Sequence, residues 1–568
     1  MSKFNNECVK GFLHADGMKL VNGDGEEVIL RGMGAGNWTN PEGFMIGAPG
    51  GMGAAFGAHD LVLPGRFERG RTMYTTMVEL CGRDYADEFQ DRWYEAHLQE
   101  GDIKLMAEMG YNSVRLPIGS RMLLREGPGI VFNERLLKHL DNIMDWCEKY
   151  RIYAILDLHA APGGQSGIPC DDGLDNKPHF FEEPESRERG LIIWETLAAR
   201  YADRWIVGGY DLLNEPLSTL DYYQRWDLLK DFYDECVARI RKVDKNHMVN
   251  LEGTLTSSTL GIFDHDYDPE CHNWAIHMHE YGFTGDVAEL YPVLYTARKL
   301  NVPVWYGEGG GGDAANTVFY EMLAYFGIGW NQWVWKAAGN PNRPSNGPTS
   351  YMNPEGFEKI QDYIGKGGPR PSYEECIRIF DQVLENLKVE NCRINYEGAK
   401  YNLRHPGITI PAAGYAFGYP CDDLFSNNVY DGNPWAYRLE DHTRLILKDG
   451  IIPETQHQKT MASRFAEGMA GMMFRKSALS ELLLELRENE YTTYVIREVK
   501  EDSEVSLKAR VCADAVIEVN ISGEVCEVKA PAGDFTDIVL GCVKPTEEGK
   551  VRITVKAGIV QIESITFA

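Results

Sequence analysis

The sequence predicts a (β/α)8 barrel followed by an antiparallel β-sandwich, and three observations carry that expectation. Eight short apolar runs of β character alternate with segments of helical periodicity, the pattern of a parallel sheet with crossover helices. Two of these runs end abruptly in a glutamate, where barrel strands reach a catalytic face. After Leu387 the alternation stops, and strand-like runs follow one another with short turns between them, as in an all-β unit.

The runs are EVILRGMGAGNW ending near Trp38, SVRLPI at 113–118, YAILDLH at 153–159 and YDLLNEP at 210–216. HMVNLEG at 247–253, WAIHMHEY at 274–281, VPVWYGEG at 302–309 and IGWNQWVW at 328–335 complete the set. Between them, RERGLIIWETLAARYA and YQRWDLLKDFYDECVARIRKV carry apolar stripes at three- and four-residue spacing, as outer-ring helices do. The glycine-rich segment from Asn40 to about Thr75 breaks the rhythm and reads as a long loop on the catalytic face. Helical SYEECIRIFDQVLENLKV closes the barrel, which puts the domain boundary near residue 400. Residues 401–568 then hold the sandwich, in YVIREV, EVSLKARV, AVIEVNI, EVCEVKA, TDIVLGCV, KVRITVKA and VQIESITF.

A chain of 568 residues is too long for one ordinary core, in keeping with two units. Its formal net charge of −28 repels phosphates and anionic membranes, which excludes nucleic acid as a partner and favours neutral or cationic ligands. No run reaches the roughly 18 apolar residues of a membrane span, and MSKFNNECVKGF lacks a signal-peptide core, so a cytoplasmic protein is expected. Twelve cysteines without a C-x-x-C pair read as buried reduced thiols, not as zinc ligands or a disulfide framework.

Polar residues collect at the strand ends: Trp38, Arg115, His159, Asn214, Glu215, His279, Tyr281, Glu308, Trp333 and Trp335. Glu215 and Glu308 end two parallel strands and are placed to face each other. At roughly 5 Å such a pair has the geometry of a retaining glycosidase, one carboxyl attacking and the other moving protons. Glu308 must then stay ionised, and Arg115 with Tyr281 are positioned to supply the charge and hydrogen bond it needs. His277 and His279 share a strand face, but the sequence shows no third ligand beside them, so no metal is expected. Gly307, Gly309 and Gly312 satisfy G-x-G-x-x-G, yet the next strand ends in Trp and Lys instead of the acid a ribose requires. No nicotinamide cofactor, and no other, is expected.

In this order, GYNSVRLPIG, DLHAAPGGQ, DLLNEP, IHMHEY, WYGEGG and GWNQWVWK resemble glycoside hydrolase family 5 over nearly all of residues 10–390. Within that family the likeness is to the exo-β-1,3-glucanase and β-glucosidase branch, through DLHAAPGGQ, GNWTNPEGF and VELCGRDYADEFQ. The resemblance implies that Glu215 is the acid/base and Glu308 the nucleophile. It also implies that Asn214 meets the sugar 2-hydroxyl, that His159 and His279 orient carboxylates or hydroxyls, and that Trp333, with Trp335 near it, stacks beneath a sugar. Glu42, four residues after Trp38, would hold hydroxyls of a terminal sugar and block longer chains. After Gln165 the sequence departs from that branch, reading SGIPCDDGLD, and leaves open whether Asp171 or Asp172 touches the sugar.

The C-terminal unit resembles carbohydrate-binding modules of the jelly-roll type, with packing on the barrel or oligomerisation as equal alternatives. The expected function is a retaining β-glycoside hydrolase, exo-acting on β-glucosides or short β-gluco-oligosaccharides. Its rivals are an endo-β-glucanase or mannanase of the same family, and a carbohydrate-binding protein without turnover.

Overall fold

The computed structural model describes residues 2–47, 66–281, 287–310, 314–339, 347–418, 424–426, 433, 437–438, 441–448 and 478–568. The chain divides into two compact units. One comprises Met1–Glu280, Pro292–Gly310 and Ile328–Asn395; the other comprises Tyr281–Tyr291, Gly311–Gly327 and Tyr396–Ala568.

All eight expected barrel strands form. They are β1 (Arg31–Gly34), β2 (Ser113–Gly119), β3 (Tyr153–Ala160), β4 (Val207–Asp211), β5 (Val249–Glu252), β6 (Trp274–Glu280), β7 (Val304–Gly309) and β8 (Gly329–Trp333). Each pairs in parallel with the next, and β8 closes on β1 with Trp330 opposite Arg31. From β1 to β5 and in β7 every strand residue is buried, because crossover helices cover one face and the barrel interior fills the other. Gly307 and Gly309 therefore belong to a closed barrel, not to an open dinucleotide-binding sheet; Gly312 lies outside the described residues.

The crossover helices follow the expected stripes. Among them α3 (Glu100–Met109), α4 (Glu134–Tyr150), α5 (Pro184–Tyr201) and α6 (Trp226–Val243) lead into β2, β3, β4 and β5. Asn133 caps α4 by accepting from the N–H groups of Arg135 and Leu136, which satisfies two of its orphan donors. Leu136, Leu140, Ile143 and Cys147 form its buried stripe.

Two departures from the expected layout have local causes. The β5–β6 crossover has no long helix, only the turn Thr254–Ser257, since GTLTSSTLGIFDHDYDPECHN carries no three-and-four apolar stripe. A buried ion pair organises it: Arg241 of α6 donates to both carboxylate oxygens of Asp268 at 2.9 to 3.1 Å and to the carbonyls of Asp244 and His247. The loop after β1 ends sooner than expected, because α1 (Gly70–Cys81) starts at Gly70 and runs into α2 (Arg83–His97). Residues 48–65 of that loop lie outside the described residues. The expected closing helix forms as α9 (Tyr373–Leu387), capped by Ser372. It buries Phe380, Val383 and Leu384 in one cluster with Met73, Met77, Phe89 and Trp93 of α1 and α2.

Two helices flank β7, α7 (Tyr291–Leu300) before it and α8 (Ala314–Tyr325) after it, the latter in the second unit. That unit is all-β and antiparallel in its C-terminal part. Its strands are β9 (Ile408–Pro411), β10 (Arg444–Leu447), β11 (Leu482–Arg487), β12 (Tyr491–Val499), β13 (Ser503–Ile521), β14 (Glu524–Ala530), β15 (Gly533–Val543) and β16 (Thr546–Phe567). Hydrogen bonds join them in one eight-stranded sheet. EVSLKARV and AVIEVNI, expected as separate strands, are halves of β13, and KVRITVKA and VQIESITF are halves of β16. Register shifts between Val511 and Val516 mark where the paired long strands bend, as bulges do. Arg497 fixes α8 to this sheet through a two-pronged pair with Glu321.

The described cysteines are all free. Cys512, Cys526 and Cys542 are exposed on the sheet, so burial holds for only part of the set. Among the described residues no helix is long and apolar enough to cross a membrane.

Candidate active site

The C-terminal ends of the barrel strands deliver a buried network centred on Arg115 of β2. Its Nη1 donates to Glu308 at 2.6 Å and its Nε to Asp211 at 2.7 Å. Its Nη2 reaches Asn214 at 2.8 Å, Glu252 at 3.0 Å and Asp157 at 3.1 Å. The guanidinium has no exposed surface. Burial opposes its charge, but Asp157, Asp211, Glu308 and Glu252 outweigh that and hold it well above the ordinary arginine value. A fork of fixed donors among carboxylates is a role lysine's point charge does not reproduce.

Glu308 sits in the sequence Gly-Glu-Gly at the end of β7. A Cβ at Gly307 would meet the His277 ring nitrogen at 1.9 Å, so glycine is required beside the carboxylate. Glu215 follows β4 and takes a left-handed backbone, φ 42°. His279 of β6 bridges the two: its Nδ1 lies 2.9 Å from Glu215 Oε1 and 3.6 Å from Glu308 Oε2. One carboxylate oxygen of Glu215, one of Glu308 and a ring nitrogen of His279 all lie within 4.8 Å of one another. Burial opposes a charge on His279, yet Glu252, Glu308 and Glu215 together raise it well above the usual histidine value.

A second cluster stands beside the first. His159 of β3 bonds Asp157 through Nδ1 at 2.7 Å, and its Nε2 lies 3.8 Å from Glu42. Burial disfavours its charge, but Asp157 and Glu42 outweigh burial and raise it to about 10. The ring lies flat against Trp333, centroids 5.0 Å apart and planes 6° from parallel. Burial also pushes the Glu42 carboxyl up, with His159 pulling it back and Glu308 and Glu215 adding to the rise.

Arg115, His159, Asn214, Glu215, His279, Glu308, Glu42 and Trp333 are thus drawn together. Tyr281 follows directly on β6 and is half-buried. Two expectations are corrected. The Trp38 indole donates to the Tyr94 carbonyl of α2, and its ring lies against His139 of α4. The Trp335 indole donates to Asp102 of α3. Both are fully buried in the helical layer, so they pack the barrel instead of facing a sugar. The same Asp102 oxygen pairs with Lys336, buried beside the indole, at 2.7 Å.

The departing loop after Gln165 engages both its aspartates in protein contacts. Asp171 accepts from Ser166, Gly167 and Gly173 N–H groups and the Ser166 hydroxyl. Asp172 accepts from Arg121 at 2.7 Å and from the Arg71 N–H. The loop instead presents Cys170, whose thiol lies 3.8 Å from Glu215 Oε2.

Asp157, Asp211 and Glu252 are site residues that the sequence reading misses, although each interrupts an apolar strand run near its end. Glu252 also corrects the reading of the histidine pair, since Glu252, His277 and His279 form a cluster of metal-ligating types. A cation does not suit it: Arg115 already donates to Glu252 Oε1, and its positive charge opposes another. Burial, with His279 and Arg115, lowers His277 to about 4, leaving it neutral at pH 7, while Asp211 opposes that shift. Burial pushes Glu252 up to about 8 against the pull of His279 and Arg115.

With this geometry in place, residues 72–339 match the family model described as cellulase, glycosyl hydrolase family 5. That match runs from α1 through the end of β8, so the similarity to family 5 spans the barrel strands β2 to β8. A β-xylosidase of Phanerodontia chrysosporium is 33% identical over 283 residues, 50% of this chain and 54% of that protein. The probable glucan 1,3-beta-glucosidase A of Emericella nidulans is 36% identical over 169 residues, 29% of this chain and 40% of that protein. The chain spans about half the length, or less, of these curated relatives. Among solved structures, an endogalactoceramidase aligns over 98% of this chain and 100% of its own at 15% identity, with a TM-score of 0.45. The matched residues include both glutamates, Arg115, Asn214, His159 and His279, and leave Trp38 and Glu42 before their start.

Proposed function

We propose that this protein is a retaining β-glycosidase, exo-acting on β-glucosides or short β-gluco-oligosaccharides. One observation carries the reading: Glu215 and Glu308 present carboxylate oxygens within 4.8 Å of each other. Carboxyl pairs about 5 Å apart attack directly, whereas inverting pairs stand roughly 6.5–9.5 Å apart to admit a water.

In the first step Glu308 attacks the anomeric carbon as the bond to the leaving oxygen breaks and Glu215 gives that oxygen a proton. Arg115 and His279 keep Glu308 anionic until it attacks. In the second step Glu215 takes a proton from water, the hydroxide portion joins the anomeric carbon, and Glu308 leaves as carboxylate. The Asn214 oxygen accepts from Arg115, so its amide nitrogen is the end available to a sugar hydroxyl. Trp333, backed by the protonated His159, offers an aromatic face to a sugar ring.

Exo action is supported by Glu42, which meets His159 beside Trp333, and by relatives named as a β-xylosidase and a probable glucan 1,3-β-glucosidase. A relative named endoglucanase C, from Acetivibrio thermocellus, is 31% identical over 188 residues and keeps endo action as the second reading. Release of phenol from aryl β-glucosides, β-xylosides and β-mannosides by the wild type and by Glu308→Ala tests the proposal. Turnover of a β-glucoside, lost in the variant, supports it. Cleavage of polymeric β-glucan with every aryl glycoside left intact favours endo action, and no turnover of either overturns the enzymatic reading.

A further inference from the structure

We propose that Glu252 and Ser218 are positioning residues that clamp the Glu215 backbone, one at its N–H and the other at its carbonyl, and aim its carboxyl at the leaving oxygen. The proposal rests on Glu215 being the acid/base.

The clamp is needed because Glu215 has φ 42° and Leu217 has φ 49°, conformations that residues other than glycine leave unless the surroundings hold them. The Glu215 N–H donates to Glu252 Oε2 at 2.7 Å. The Glu215 carbonyl accepts from the Ser218 hydroxyl at 2.7 Å. That hydroxyl in turn accepts from the Thr256 N–H at 2.8 Å. The peptide groups before and after Glu215 are therefore both held, one by the end of β5 and the other through Ser218 by the turn after it.

That turn is itself unusual. Leu255, Thr256 and Ser257 lie at φ 56°, 53° and 56° in succession, three left-handed residues without a glycine among them. Ser257 ties the turn to β6 by donating to the His277 carbonyl at 2.8 Å. Gly253 permits it, because a Cβ there would meet the Thr259 carbonyl at 1.9 Å. Strain of this kind persists where surrounding contacts over-determine the backbone, and here its product is one N–H group delivered to Ser218.

Glu252 is completely buried, so it acts through Glu215 and not on substrate. Its other oxygen accepts from Arg115 at 3.0 Å, the same side chain that holds Glu308. One carboxyl group thereby sets the acid/base against the nucleophile.

The test compares kcat/KM of Glu252→Gln and Ser218→Ala on a series of aryl β-glucosides, from 2,4-dinitrophenyl to phenyl leaving groups. A misplaced acid is missed most when the leaving oxygen needs a proton. Glu252→Gln is expected to lose at least about tenfold more on phenyl than on dinitrophenyl glucoside, and Ser218→Ala to lose less in the same pattern. Equal loss across the series in both variants overturns the proposal, since that marks a general support of the barrel end. Ser218→Ala leaves Arg115 and Glu308 untouched, so it decides the matter even if Glu252→Gln does not fold. Glu215→Ala is the reference: if the wild type is active and this variant shows no leaving-group dependence, the acid/base assignment fails and the clamp falls with it.

Discussion

Arg115 Nη1 meets Glu308 Oε1 at 2.6 Å while the same guanidinium holds Asp211, Asn214, Glu252 and Asp157. Glu308, the proposed nucleophile, is thus one member of a buried charge array. Arg115→Lys keeps the charge and loses the fork, so kcat/KM on the best aryl glycoside should fall by about 10²–10³-fold, as when a preorganised donor is removed. Steady-state kinetics on the folded variant checks this.

The two tryptophans near the end of β8 should part company. Trp333→Ala is expected to raise KM several-fold, because the exposed part of its ring is the one available for sugar stacking. Trp335→Phe loses the hydrogen bond to Asp102 and should cost about 1.5–3 kcal/mol of stability, the range for a hydrogen bond to a charged group, with Lys336 still paired to that carboxylate. Its KM should be unchanged. Urea denaturation and kinetics on both variants separate the two roles.

His159 gives a pH dependence with a definite sign. Its folded value of about 10 lies above its ordinary value, which is about 6.5. Its contribution to stability is therefore complete below about pH 6.5 and is lost as pH rises through about 10. Unfolding midpoints of the wild type should decline more steeply over this window than those of His159→Phe. Parallel declines would show that the imidazolium does not stabilise the fold.

Arg241→Ala should cost about 3–5 kcal/mol, since it leaves Asp268 buried without its partner. The crossover between β5 and β6 has only one helical turn of its own, so this pair substitutes for the packing a helix would supply. Equilibrium denaturation with the double variant Arg241→Met, Asp268→Leu as reference tests the point: the double variant should recover much of the loss.

The barrel was legible because its strands are apolar runs ended by polar residues, and Glu215 and Glu308 stood out as acids at two such ends. The site's scaffold was less so. Asp157, Asp211 and Glu252 look like single interruptions of apolar strands, and only the barrel's closure brings them to one arginine. Trp38 and Trp335 misled for the converse reason: sequence spacing places them at strand ends, but their backbone there turns the indoles toward Tyr94 and Asp102. Left-handed residues such as Leu255 and Thr256 carry no sequence signal, since neither is a type that favours positive φ. In the C-terminal unit the bend within β13 and β16 looked like a turn, and each strand was therefore counted as two.

The most direct test of the central claim is proton NMR of the first sugar released from the aryl β-glycoside the enzyme cleaves best. Two carboxylates with oxygens within 4.8 Å predict double displacement, so the β-anomer should appear first and the α-anomer only later by mutarotation. The α-anomer appearing first would contradict the account.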